Sequence, residues 1–147
     1  MQLSKEHIIQ TDPIWINYEN LILKEVDFDS VKIYKSRAAK ERVSISDTNN
    51  TLWFQIIKMG YEEHEHMGCC GLYLAKNKCR IKGDWIKPEY RGQGYGEFIT
   101  QSRLLIAEHL NYDLIEVLTL HPHYYRKKNF TIHKEIRSGV WLSDLAI

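Results

Sequence analysis

Eleven residues, Ile86-Lys87-Pro88-Glu89-Tyr90-Arg91-Gly92-Gln93-Gly94-Tyr95-Gly96, constrain this chain more than any other stretch. The apolar pair Trp85-Ile86 reads as a strand end, and Pro88, with no N–H to donate, stops the ladder. Gly92, Gly94 and Gly96 follow at alternate positions. Beyond them Phe98, Ile99, Ser102, Leu105, Ile106 and His109 recur with helical period. A strand, a glycine-rich turn and a helix in this order aim unpaired backbone N–H groups and the positive end of a helix dipole at one spot. Arg91 adds a permanent positive charge with a two-pronged fork. This suits the binding of a phosphate or pyrophosphate; the plainer alternative is a turn that only joins strand to helix. Two common nucleotide motifs are absent. No Lys-Ser/Thr pair follows the glycines, as the NTPase phosphate loop requires, and the glycine spacing misses the dinucleotide fingerprint.

The surrounding chain supplies an ordered set of elements. Residues 21–26 read as a first strand, and Asp27 or Asp29 caps a helix running to about Ala39, with Phe28, Val31, Tyr34 and Ala38 inward. Residues 51–57, 67–75 and 79–87 alternate as a three-stranded antiparallel meander, with Lys76-Asn77-Lys78 as a tight turn. A helix over 95–110 ends near Asn111, which suits a left-handed cap. Residues 113–120 are apolar on both faces and predict a central strand parallel to 79–87, with the helix as crossover. A short helix over 122–128 and a hairpin of 131–137 with 140–145 around Ser138-Gly139 close the chain. The expected fold class is α/β, a mixed α+β sheet in a single domain over residues 1–147. Residues 1–20 are the least legible: Pro13 suits the first position of a short helix through Ile14, Trp15 and Tyr18.

Composition excludes several classes. Lys and Arg total 20 against 19 Asp and Glu, so the net charge of +1 gives no global pull toward nucleic acid or acidic membranes. No apolar run approaches the roughly 20 residues of a membrane span, and no signal-peptide core follows Met1, which makes a cytoplasmic location the expectation. Cys69, Cys70 and Cys79 are an odd count without regular spacing. They read as reduced, core-filling residues, with Cys69 and Cys70 facing opposite sides of a strand.

Arg91-Gly92-Gln93-Gly94-Tyr95-Gly96 resembles the Arg/Gln-x-x-Gly-x-Gly/Ala acyl-CoA loop of the GCN5-related N-acetyltransferases. A second segment of that family, aromatic-Tyr-x-x-x-Gly-Phe after the fifth strand, is matched by Tyr124-Tyr125-Arg126-Lys127-Lys128-Asn129-Phe130. Asn129 replaces the glycine, a mild change because Asn also tolerates the left-handed conformation. The element order matches the family over about residues 21–145, with one clear helix where two are usual between the first two strands.

The resemblance implies an acetyl-CoA co-substrate whose pyrophosphate is cradled by Gly92, Gln93, Gly94, Tyr95 and Gly96 with help from Arg91. It also implies a pantetheine arm along the strand backbone near Ile86, in a gap where strands 79–87 and 113–120 splay apart. Gly83 marks either a bulge that starts the splay or a close-packed position. Tyr125 falls at the family's frequent general-acid position; a phenol can donate to a leaving thiolate. Strand alternation puts Arg80, Lys82, Asp84 and Ile86 on one face unless a bulge intervenes. Asp84 there either faces the substrate, accepting the amine proton or holding the amine, or is a carboxylate paired with Arg80 or Lys82. Arg80, Lys82 and His121 are candidate acceptor contacts.

His64-Glu65-His66 and His121-Pro122-His123 place two histidines on one strand face each. They read as loop histidines or as a metal pair, and no metal site is assigned. The acceptor is expected to be a small-molecule or protein amine. A nucleic acid is the alternative, suggested by Arg80, Lys82, the basic run Arg126-Lys127-Lys128 and the aromatics Trp53, Trp85 and Tyr90. A non-catalytic acyl-CoA-binding module is the other. The resemblance further implies a possible homodimer through the C-terminal strands and no membrane partner.

Overall fold

The computed structural model describes all of residues 1–147. One nine-stranded mixed sheet runs through the chain in the order β1-β2-β3-β4-β5-β6-β7-β9-β8. The strands are β1 (Ile8–Thr11), β2 (Ile14–Tyr18), β3 (Leu21–Val26), β4 (Thr51–Met59), β5 (His64–Leu74), β6 (Cys79–Ile86), β7 (Leu114–Thr119), β8 (Thr131–Arg137) and β9 (Val140–Ala146). The helices are α1 (Lys35–Ala39), α2 (Tyr95–His109) and α3 (Pro122–Arg126). Neighbours pair antiparallel except β6 and β7, which are parallel and joined through α2.

Each face of the sheet has its own core. The larger packs α2 through Phe98, Ile99, Leu105 and Ile106 onto Phe54, Leu72, Ile81 and Ile115. The smaller, on the opposite face, gathers Val31, Tyr34, Ala38 and Ile45 over Trp53, Cys69 and Trp85. Adjacent Cys69 and Cys70 go to different cores, as strand alternation requires. Burial pushes the Cys69 and Cys79 thiols up to about 12, so neither is an ambient nucleophile.

Two expectations are corrected. Residues 14–18 are a strand and not a helix: Asp12-Pro13 sits in the β1–β2 turn, and Ile14 and Ile16 bury themselves as alternate residues against the α2 core. The segment after Asp27 is not one helix. It forms two 3-10 turns, Phe28–Ser30 and Lys32–Tyr34, before the five residues of α1. The predicted inward residues Val31, Tyr34 and Ala38 are nonetheless buried, and the Asp27 carboxylate accepts from the Ser30 N–H at 3.1 Å. Asn111 takes the left-handed conformation after α2, with φ 66°. No helix is long and apolar enough to cross a membrane.

Candidate active site

The site begins where the sheet comes apart. β6 and β7 pair at only three positions, Cys79 with Ile115, Arg80 with Glu116 and Ile81 with Val117. Beyond Ile81 the two strands diverge, β6 staying with β5 and β7 with β9. The ladder breaks at a bulge, where Gly83 and Asp84 fall between the Lys82–Gly71 and Trp85–Cys69 pairs. Gly83 has φ +67°, and a Cβ there would meet the Trp53 ring at 2.5 Å. Both readings of Gly83 therefore hold: it is a bulge residue and a close-packed one. The divergence opens a cleft of about 1300 Å³, which runs from the glycine loop through the sheet to the loop at 41–50.

At one end lies the loop. Gly92 and Gly94 have φ +75° and +87°, and space for a Cβ is open at both. Glycine is used there for backbone conformation and an uncovered surface. The five N–H groups from Gly92 to Gly96 find no acceptor in the chain; the neighbouring turn bonds are Arg91 N–H to Pro88 O at 3.2 Å and Glu97 N–H to Gly94 O at 3.3 Å. Alternating hands along such a run make a concave cluster of donors at a helix start, a geometry able to take up an anion. Gly96 has a different reason: its Cβ would stand 3.1 Å from the Tyr124 hydroxyl, which lies 3.4 Å from Thr100 Oγ1.

Arg91 is not free above this loop. It donates through Nε to Ile86 O at 2.8 Å and through both terminal nitrogens to Glu41, at 2.6 and 2.8 Å. Glu41 also accepts the Trp85 indole N–H at 2.6 Å. These hydrogen bonds hold the Glu41 carboxyl down to about 2. Glu41 was invisible to sequence reasoning, since nothing local distinguishes it from other surface glutamates.

Asp84 is placed otherwise than strand parity predicts. Ile81 faces the α2 core, so Arg80 and Lys82 point to the opposite face. The bulge shifts the count by one and turns Asp84 back to the α2 side. There Arg103, fully buried on α2, donates to both its oxygens, the second at 2.5 Å, and to Gly71 O at 3.1 Å. Asp84 is thus not paired with Arg80 or Lys82. Arg80 instead donates through Nε to Glu116 at 2.7 Å, and Glu116 also pairs with Lys78 at 3.1 Å. Lys82 reaches only the Thr48 hydroxyl, at 3.3 Å, and the Trp53 ring. Arg103 did carry a legible signal: a charge at the inward position between Ile99 and Ile106 demands a buried partner.

Tyr125 sits in the α2-side core, edge-on to Phe130 at 5.2 Å and to Tyr124 at 5.0 Å, and lines the cleft. Burial first, then the nearby Asp84 charge, push its phenol well above the ordinary tyrosine range. It is a proton holder and not a phenolate. Ile86 and His121 also line the cleft, the His121 N–H donating to Thr119 Oγ1 at 2.8 Å. His64, Glu65, His66 and His123 do not line it, and the first three belong to β5. No group of three or more metal-ligating side chains converges.

No protein-family model and no curated protein matches the sequence. Solved structures match its backbone. A domain from Methanocaldococcus jannaschii superposes with a TM-score of 0.72 at 12% identity, over 86% of this chain and 98% of that one. A GNAT family acetyltransferase from Elizabethkingia anophelis with acetyl-CoA bound gives 0.62 at 15%, over 88% and 100%. A variant of a spermidine N-acetyltransferase from Vibrio cholerae gives 0.66 at 13%, over 88% and 95%. At such identities the likeness is one of backbone, and by it this chain has the fold of the GCN5-related N-acetyltransferases.

Proposed function

We propose that this chain is an acyl-CoA-dependent N-acetyltransferase, which moves an acetyl group from acetyl-CoA to a primary amine by direct attack on the thioester. The observation that carries this is the row of five unpartnered N–H groups, Gly92 to Gly96, at the mouth of the β6–β7 gap. The loop donors suit a pyrophosphate. The unpaired edge of β6 from Lys82 to Ile86 suits the amides of a pantetheine arm. The acetyl-CoA in the Elizabethkingia structure and the amine substrate named for the Vibrio protein support the reading.

The transfer forms an N–C bond and breaks a C–S bond; the nitrogen gives up one proton and the sulfur takes one. Tyr125, protonated and facing the cleft, is assigned the proton delivered to sulfur. Asp84 is assigned the orientation of the amine: Arg103 fixes both its oxygens, so it accepts a hydrogen bond in a set direction and is a poor final base. The nitrogen's proton leaves to water in the open cleft. Arg91 braces the loop: three of its five N–H donors go to Glu41 and Ile86, and the Glu41 carboxylate balances its charge. Arg80, Lys82 and His121 line the acceptor side.

The test is calorimetric titration of acetyl-CoA into wild type and Gly94→Asp. Asp tolerates the left-handed conformation, and the open space at Gly94 admits the side chain, so the variant folds. Its carboxylate would stand in the cradle and repel the pyrophosphate. Wild type binds and the variant weakens by about 10²-fold or more. Absence of binding to wild type overturns the proposal.

A further inference from the structure

The acceptor side of the cleft carries a charge pattern that the whole chain does not. Five basic side chains line the cleft (Arg42, Arg80, Lys82, Arg91 and Arg137) against two acidic ones, Glu41 and Asp84. Both carboxylates are already neutralised, Glu41 by Arg91 and Asp84 by Arg103. Arg80 shares the buried Glu116 with Lys78. That leaves Arg42, Lys82 and Arg137, none of which forms an ion pair with any carboxylate.

These three come from different parts of the fold. Arg42 is on the loop after α1, Lys82 on the β6 face opposite α2, and Arg137 at the β8–β9 turn. Lys82 is the informative one. Burial and the neighbouring Arg80 lower its pKa, with Asp47 the one group that opposes them. Its ammonium is thus held, only partly hydrated, beside another cation and over an indole ring. Such a charge costs stability in the empty protein and is compensated when an anion enters. The surrounding Ser44, Thr48, Asn49 and Asn50 also line the cleft and offer neutral donors to oxyanions.

From these three uncompensated charges on one cleft we infer that the acceptor is a small amine that also carries an anionic group, phosphate or carboxylate, held by Arg42, Lys82 and Arg137 with its amino group toward Asp84. The inference rests on the acetyltransferase reading and narrows its substrate class. Polyamines such as the spermidine named for the Vibrio protein are the wrong sign for this surface.

The experiment uses O-phosphoethanolamine as the phosphate probe, β-alanine as the carboxylate probe, ethanolamine as the control without an anion, and spermidine as the polycation. Binding of each is measured by calorimetry without CoA, and turnover is followed by thiol release from acetyl-CoA. Expected is binding of at least one anionic probe about tenfold or more tighter than ethanolamine, the worth of one charge-assisted hydrogen bond. Turnover follows the same rank, and whichever probe leads identifies the anion. Arg137→Glu, at an exposed turn, and Lys82→Ala each abolish that preference, and Arg137→Glu leaves acetyl-CoA affinity unchanged. Two outcomes overturn the inference: ethanolamine or spermidine equal to the anionic probes, or a preference that survives both substitutions. Failure of the donor reading shows separately, as wild type that does not bind acetyl-CoA; the binding arm then decides the anion site alone.

Discussion

Tyr125 and Glu41 illustrate how single side chains divide the work of the site. The Tyr125 hydroxyl has no hydrogen-bond partner in the chain, while its ring is part of the larger core. Tyr125→Phe therefore keeps the packing and removes only the proton: kcat falls by about 10²-fold with the acetyl-CoA KM unchanged, and the melting temperature barely moves. A fall in stability with no loss of kcat would make it a packing residue. Glu41 is a stability residue with a pH signature. Its carboxyl is ordinarily near 4.5 and is held to about 2 in the folded chain. A depressed carboxyl stabilises the fold fully above 4.5, and that contribution disappears as pH falls toward 2. Thermal melts of wild type and Glu41→Gln should thus differ at neutral pH and converge between pH 4.5 and 2, with the indole signal of Trp85 reporting the same change.

At the scale of elements, the pair that joins α2 to β6 is the most exposed to test. Arg103 is fully buried and Asp84 partly exposed, so removing the carboxylate strands a charge in the core. Asp84→Asn should cost about 3 kcal/mol in urea unfolding, and Arg103→Met on top of it should restore most of the loss, the non-additivity of a coupled pair. Additive losses would mean that the pair is incidental. The same elements show what the sequence makes legible. β6, the glycine loop, α2 and β7 are readable because each announces itself: alternation, then three spaced glycines and a helical period, then a doubly apolar strand. Parity along β6 is not readable, since a one-residue bulge at Gly83 inverts every face after it and no local pattern tells a bulge glycine from a packing glycine. The first hairpin is hidden for another reason. Pro13 fits a helix start as well as a turn, and Ile14-Trp15-Ile16 is too short for its period to decide. Arg91 is legible as a loop residue, but its partner Glu41 stands 50 positions away and only the tertiary fold brings them together.

For the molecule as a whole, one sheet with a core on each face predicts uneven tolerance at the N-terminus. β1 is an edge strand that buries little, whereas β2 commits Ile14 and Ile16 to the α2 core. Deleting residues 1–11 should lower the melting temperature slightly and preserve acetyl-CoA binding. Deleting 1–20 also strips both isoleucines, worth about 3–6 kcal/mol together, and should leave a chain without a cooperative melt. Equal effects of the two deletions would contradict the two-core description. The Arg91–Glu41 clasp has a further consequence at this scale. It fastens the glycine loop directly to the loop at 41–50, which also lines the cleft. Ordering either loop orders its neighbour, so on the acetyltransferase reading the two substrates are thermodynamically linked. The factor by which the donor tightens the acceptor must equal the factor by which the acceptor tightens the donor, and cutting the clasp with Glu41→Gln should bring both factors toward one.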